Sequence, residues 1–152
     1  MEGGINSNRR KVHEFNVSSA WHITTMSATA MTFKFLGETI SPFGLSFRRD
    51  GRKMYVADVA SSTIYQYNLS EPWDLTAADY DYASFSVSSF DVNPTDIGFA
   101  PDGSKMYVLG QTNHKVHQLR VSGGFYRNPA TGNLNPLSQS DASGDDFGVF
   151  SA

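Results

Sequence analysis

Short apolar runs alternate along this chain with clusters of Gly, Asp, Asn, Ser and Thr, the pattern of strands joined by tight turns. Four strands recur in order. The first covers Gly44 to Phe47, and again Ile97 to Phe99, and each leads into an Asp-Gly pair, Asp50-Gly51 or Asp102-Gly103. Asp-Gly tolerates the positive φ of a two-residue hairpin, so a second strand is expected at Lys53 to Val56 and at Lys105 to Val108. Polar turns at Ala60-Ser61-Ser62 and Thr112-Asn113-His114 then lead to a third strand, Ile64 to Leu69 or Val116 to Val121. A fourth is expected at Met31 to Phe35 and at Tyr82 to Val87.

These strands recur because the sequence itself repeats. Residues 41 to 56, SPFGLSFRRDGRKMYV, align without a gap on residues 93 to 108, NPTDIGFAPDGSKMYV, at an offset of 52. The same offset relates segments starting at Lys11, Thr63 and Lys115, stacking Val12 on Ile64 and Val116, and Trp21 on Trp73 and Phe125. A fainter trace links Phe147-Gly148-Val149 to Phe43-Gly44-Leu45 at twice that offset. Four antiparallel strands in about 50 residues is the period of a β-propeller blade, and one blade alone leaves both its faces uncovered. The expected fold is therefore all-β, with about three four-stranded blades. Residues 1–40 form a partial first blade, 41–92 a second and 93–146 a third with a divergent outer segment at 122–146. Residues 147–152 supply a closing strand.

The pattern P-x-x-[IL]-x-F-x-x-D-G-x-K-M-Y-V, followed by a Y-x-Y-N-L-type strand, resembles the NHL-like and YVTN-like propeller repeats across residues 11 to about 121. The continuation Ser70 to Thr76, SEPWDLT, is similar to repeats of bacteriophage virion and environmental bacterial surface proteins. That resemblance implies a structural or adhesive role, with virion localisation and other virion or surface proteins as partners. Propellers close with about four to eight blades, so three blades leave a ring open. A head-to-tail homo-oligomer is expected, two copies giving six blades, with Phe147, Val149 and Phe150 as the closing strand.

Composition narrows the chemistry. A net charge of -3 and scattered Lys and Arg leave no basic stripe for nucleic acid. The start of the chain has no apolar leader and no run is long enough to span a bilayer, so neither secretion nor a membrane is expected. Without cysteine there is no disulfide, thiolate nucleophile or thiolate metal site. The four histidines scatter over the repeat, and His114 and His117 point to opposite faces of a strand, so no metal or other cofactor is expected. Propellers resembling lactonases gather carboxylates and histidines around a central channel, whereas Asp96 is the one inner-strand carboxylate read here. A metal-dependent lactonase-like hydrolase therefore stands as the second alternative to a non-catalytic module. The first is a carbohydrate- or peptide-binding bacterial surface propeller, because Trp21 and Trp73 follow the third strand at loop positions suited to stacking on sugars. They equally serve as plugs beneath the loop. The segment holding Phe125 and Tyr126 departs most from the repeat and is the expected contact region.

Overall fold

The computed structural model describes residues 10–35, 37–39 and 41–120, and beyond them the backbone of four short strands. The chain is all-β. Strands β1 (Lys11–Val17) and β2 (Met26–Lys34) pair first, β3 (Pro42–Phe47), β4 (Lys53–Asp58), β5 (Thr63–Leu69) and β6 (Ala78–Ser86) form a four-stranded sheet, and β7 (Pro94–Phe99), β8 (Lys105–Gly110) and β9 (Lys115–Arg120) a three-stranded one. Neighbours in sequence are neighbours in the sheet, and each pair is antiparallel. Two small hairpins follow: β10 (Phe125–Arg127) with β11 (Leu134–Pro136), and β12 (Asp146–Phe147) with β13 (Phe150–Ser151).

The offset of 52 reappears in the backbone. Leu45 faces Val56 and Phe47 faces Met54, just as Ile97 faces Val108 and Phe99 faces Met106, and both ladders slip just after their proline. The β1–β2 register, Lys11 to Lys34 and Val17 to Met26, is that of β5–β6, Thr63 to Ser86 and Leu69 to Ala78. Short 3-10 turns at Ile23–Thr25 and Leu75–Ala77 hold equivalent places. Three pairs of left-handed residues recur as well, Trp21 and Trp73 at φ 65° and 66°, Ser62 and His114 at 51° and 52°, Gly51 and Gly103 at 72° and 74°, while Tyr82 at 52° has no counterpart at Ala30.

The Asp-Gly hairpins differ from the two-residue turn expected of them. Gly51 N–H bonds Arg48 O at 2.8 Å and Arg48 N–H bonds Lys53 O at 2.9 Å, so a four-residue loop separates that pair. Only the glycine enters the left-handed region. Asp50 instead accepts the Arg52 N–H at 3.0 Å, and Asp102 the Ser104 N–H at 3.0 Å, so the aspartate closes a side-chain turn rather than tolerating positive φ.

The sheets stack face to face. Along β4, Met54 and Val56 point one way and Tyr55 and Ala57 the other, and both sides are covered. Met54, Val56, Tyr67, Leu69 and Leu75 pack against Val12, Phe33 and Phe35 of the first unit. Tyr67 meets Phe33 and Phe35 at ring distances of 5.5 and 5.3 Å, and burial pushes its phenol well above the ordinary range. From the opposite face, Ala57 and Ile64 pack against Ile97, Met106, Val108 and Leu119 of the third unit. Each fully covered aliphatic side chain contributes about 1.5–3 kcal/mol. A strand buried on both faces reads as an unbroken apolar run, which is why MYVA, Met54 to Ala57, shows no alternation.

Candidate functional site

Two places in this stack collect polar side chains. At the end of β4, away from the β3–β4 turn, Asp58 is fully buried. Its carboxylate accepts the N–H groups of Ser41 at 2.6 Å and Ser61 at 2.9 Å. The repeat-equivalent donors in the third unit are the N–H groups of Asn93 and Asn113, and a carboxylate takes those too, at 2.8 and 2.7 Å, with Thr112 N–H at 3.2 Å. That carboxylate is Asp91, reaching over from the strand approach, while the position equivalent to Asp58 is Gly110. A Cβ at Gly110 would collide with the Asp91 carboxyl group. Burial works against the Asp91 charge, but the backbone donors outweigh it and hold the carboxyl below its ordinary range.

At the turn end, the second and third units enclose a cleft of about 850 Å³. Tyr55 and Phe99 stack across it at 4.4 Å and 41°, with Ile64, Phe85 and Met106 in its lining. Arg48 and Asp50 stand at the mouth, joined through Nε to Oδ1 at 2.8 Å and through Nη2 to Oδ2. The Arg48 hydrogen bond holds the Asp50 carboxyl at about 2, and Ser104 holds Asp102 below the ordinary range. Carboxylates so depressed are poor general bases near neutrality. The cleft's chemistry suits contact with a ring or an apolar side chain better than proton transfer. Nothing in the sequence marks it, because it arises only where two units meet.

Trp21 and Trp73 share a backbone conformation but not an environment. Trp73 lies on the β3–β4 turn: its N–H donates to Gly51 O at 3.0 Å, its indole covers Gly51 so closely that no Cβ would fit, and its ring lies 5.4 Å from Phe47. It is still 52% exposed. Trp21 is 98% exposed. Asp74 accepts Thr76 N–H at 2.8 Å and fixes the turn beside Trp73, whereas beside Trp21 it is the Thr25 hydroxyl that bonds His22 O at 2.7 Å.

Asp96 lies exposed on β7, its carboxylate accepting its neighbour Ile97 N–H at 2.9 Å. β3 runs alongside, so that a Cβ at Gly44 would come within 2.6 Å of Asp96 Cα. The structure does not bring Asp96 together with either tryptophan: its carboxylate stays on its own backbone, and the ring beside Trp73 is Phe47. Lys53 is held against Asp81 at 2.7 Å and against Asn68, and Gln66 and Asn68 also bond Asp81, strapping β4, β5 and β6 together. His117 is half buried, 5.9 Å from the Phe90 ring, and His114 is exposed in its turn. Among the described residues no three His, Cys, Asp or Glu side chains gather to hold a metal ion, and no helix is long and apolar enough to cross a membrane. Phe125 and Tyr126 fall in β10, and Phe147 and Phe150 in β12 and β13, but their side chains, with all of Val149, lie outside the described residues.

Among the described residues the stack leaves two apolar groups uncovered. On the first unit Phe15, Val17 and Ile23 are exposed, and on the third Leu109 and Val116.

No family profile and no curated protein matches the chain. Among solved structures, a proposed 6-phosphogluconolactonase from Bacteroides fragilis is similar at 15% sequence identity and a TM-score of 0.38, over 85% of this chain and 48% of that one. The chain thus spans about half the length of that protein, and likeness at this level carries no argument about fold or activity.

Proposed function

We propose that the 52-residue units are blades of a β-propeller and that the chain is a non-catalytic structural module, displaying its rims and loops to partner proteins. The virion of a bacteriophage is the setting implied by the Ser70 to Thr76 resemblance. One observation carries this reading: register, three pairs of left-handed residues and the 3-10 turns recur at the same offset, and the polar side chains that recur with them are engaged in holding turns. A scaffold that commits its carboxylates to its own backbone is built for rigidity. Repeated units that contact only their neighbours extend such rigidity along the stack.

Two measurements test this. Mass spectrometry of purified virions whose genome encodes the chain is expected to find it at a fixed copy number, and its absence would remove the virion setting. A panel of lactones and esters, assayed with calcium, magnesium, manganese or zinc, is expected to show no turnover above the uncatalysed rate. Turnover that disappears in Asp96→Asn would make the chain an enzyme.

A second reading rests on Trp21, whose indole is almost wholly open to solvent. Exposed indoles stack on the apolar faces of sugars. Glycan-array binding lost in Trp21→Ala and retained in Trp73→Ala would favour a carbohydrate-binding surface module.

A further inference from the structure

The two open faces are the two halves of one kind of contact. Every unit has a leading face, which meets the unit before it, and a trailing face, which meets the unit after it. In the second unit the leading face includes Met54, Val56, Tyr67, Leu69 and Leu75, all buried against the first unit, and the trailing face includes Ala57 and Ile64, buried against the third. Moving back by 52 residues turns Tyr67, Leu69 and Leu75 into Phe15, Val17 and Ile23, the open leading face of the first unit. Moving forward turns Ala57 and Ile64 into Leu109 and Val116, the open trailing face of the third. The change of environment is large: Leu75 is 3% exposed and Ile23 76%, Ile64 is 4% exposed and Val116 64%.

We propose that the trailing face of one copy, Leu109 and Val116, docks on the leading face of a second copy, Phe15, Val17 and Ile23, in the packing by which the units already stack within the chain. The proposal rests on reading the units as stacking blades and adds the identity of the partner. Three arguments favour a second copy over an unrelated protein. The matching surface is already present in the same molecule, and its geometry is realised at both internal junctions. Phe15, Val17 and Ile23 on one face, and Leu109 and Val116 on the other, keep apolar side chains at positions that are apolar in the internal junctions, although Met54 and Val56 answer to Glu2 and Gly4 in the first unit. The faces also differ from each other, so the contact is heterologous, head to tail, and repeats until it closes or is capped.

Light scattering coupled to size exclusion tests this on the full chain. The wild-type particle is expected at twice 16.7 kDa or a higher multiple. Ile23→Asp and Val116→Asp each place a charge on one face where the isolated chain is exposed, so each is expected to fold, checked by circular dichroism, and to run as a monomer. Mixing the two restores one good contact, Val116 of the first variant on Ile23 of the second, and is expected to give a one-to-one dimer. A monomeric wild type overturns the proposal and points to the chain's own remaining segments as the cover. A mixture that stays monomeric, or variants that keep the wild-type mass, overturns it as well. Failure of the blade reading shows elsewhere: Val56→Asp, at an internal junction, would then leave the melting temperature unchanged.

Discussion

The second and third units offer the same pair of backbone N–H groups to a buried carboxylate, yet they draw that carboxylate from different positions in the repeat. In the second unit it comes from Asp58 on β4 itself. In the third, Gly110 stands there and Asp91 reaches across from before β7. A glycine that looks like a weak point of β8 is therefore the space the neighbouring aspartate occupies. The comparison teaches that the repeat preserves a hydrogen-bonding requirement rather than a residue. A buried carboxylate needs donors and these turn N–H groups need an acceptor, and an aspartate at either position satisfies both.

The most damaging way to break this equivalence is Asp91→Ala or Asp58→Ala, each of which removes a buried carboxylate and the acceptor of two or more part-buried backbone donors. A loss of about 2–4 kcal/mol is expected for either in urea unfolding. Next comes Gly110→Ala, which forces a methyl group onto the Asp91 carboxylate and is expected to cost about 1–3 kcal/mol. The exchange Asp91→Thr with Gly110→Asp, which writes the second unit's solution into the third, is expected to recover most of the Asp91→Thr loss. If the double variant is no more stable than the sum of the single ones predicts, the two carboxylates are not equivalent.

The tryptophans sharpen the same contrast more gently. Trp73→Ala uncovers Gly51 and Phe47 and is expected to cost about 1–2 kcal/mol, while Trp21→Ala is expected to stay within about 0.5 kcal/mol. Equal losses would mean that Trp21 has a seat of its own.

Acid gives the smallest effect. The Asp91 carboxyl is held below its ordinary range in the folded chain, so its contribution is complete above the unfolded value near ~4 and is lost as pH falls through that value toward the lower folded one. Asp81 moves in the same direction: burial opposes its charge, and Lys53, Gln66 and Asn68 outweigh it. Thermal melts of wild type are expected to fall between about pH 5 and 2, with a shallower fall in Asp91→Asn. Parallel curves would show that Asp91 carries no part of the acid response.

Much of the fold was legible because a repeat multiplies weak signals. Apolar alternation and the Asp-Gly pairs marked the strands and turns of the second and third units and the offset supplied the first, although β2 and β6 begin at Met26 and Ala78, ahead of the expected Met31 and Tyr82. The hairpin itself was misread, since Asp-Gly fits both a two-residue turn and the observed four-residue loop, and only the positions of Arg48 and Lys53 distinguish them. The candidate sites were less legible. Trp21 and Trp73 are equivalent in sequence and in φ, and what separates them is whether a hairpin lies beneath the indole. The cleft beside Tyr55 and Phe99 has no signature in either unit alone. The Asp91–Gly110 exchange was visible as letters, but a missing aspartate and an extra one are unrelated until their atoms meet.

By itself, then, the sequence determined the period, the strand order and the all-β class, since alternation and turn chemistry act between residues close in the chain. Only the tertiary structure decided which face of each strand is covered, which carboxylate serves which backbone and which apolar positions are left open. Those outcomes depend on contacts between residues dozens of positions apart, where identical side chains acquire different neighbours.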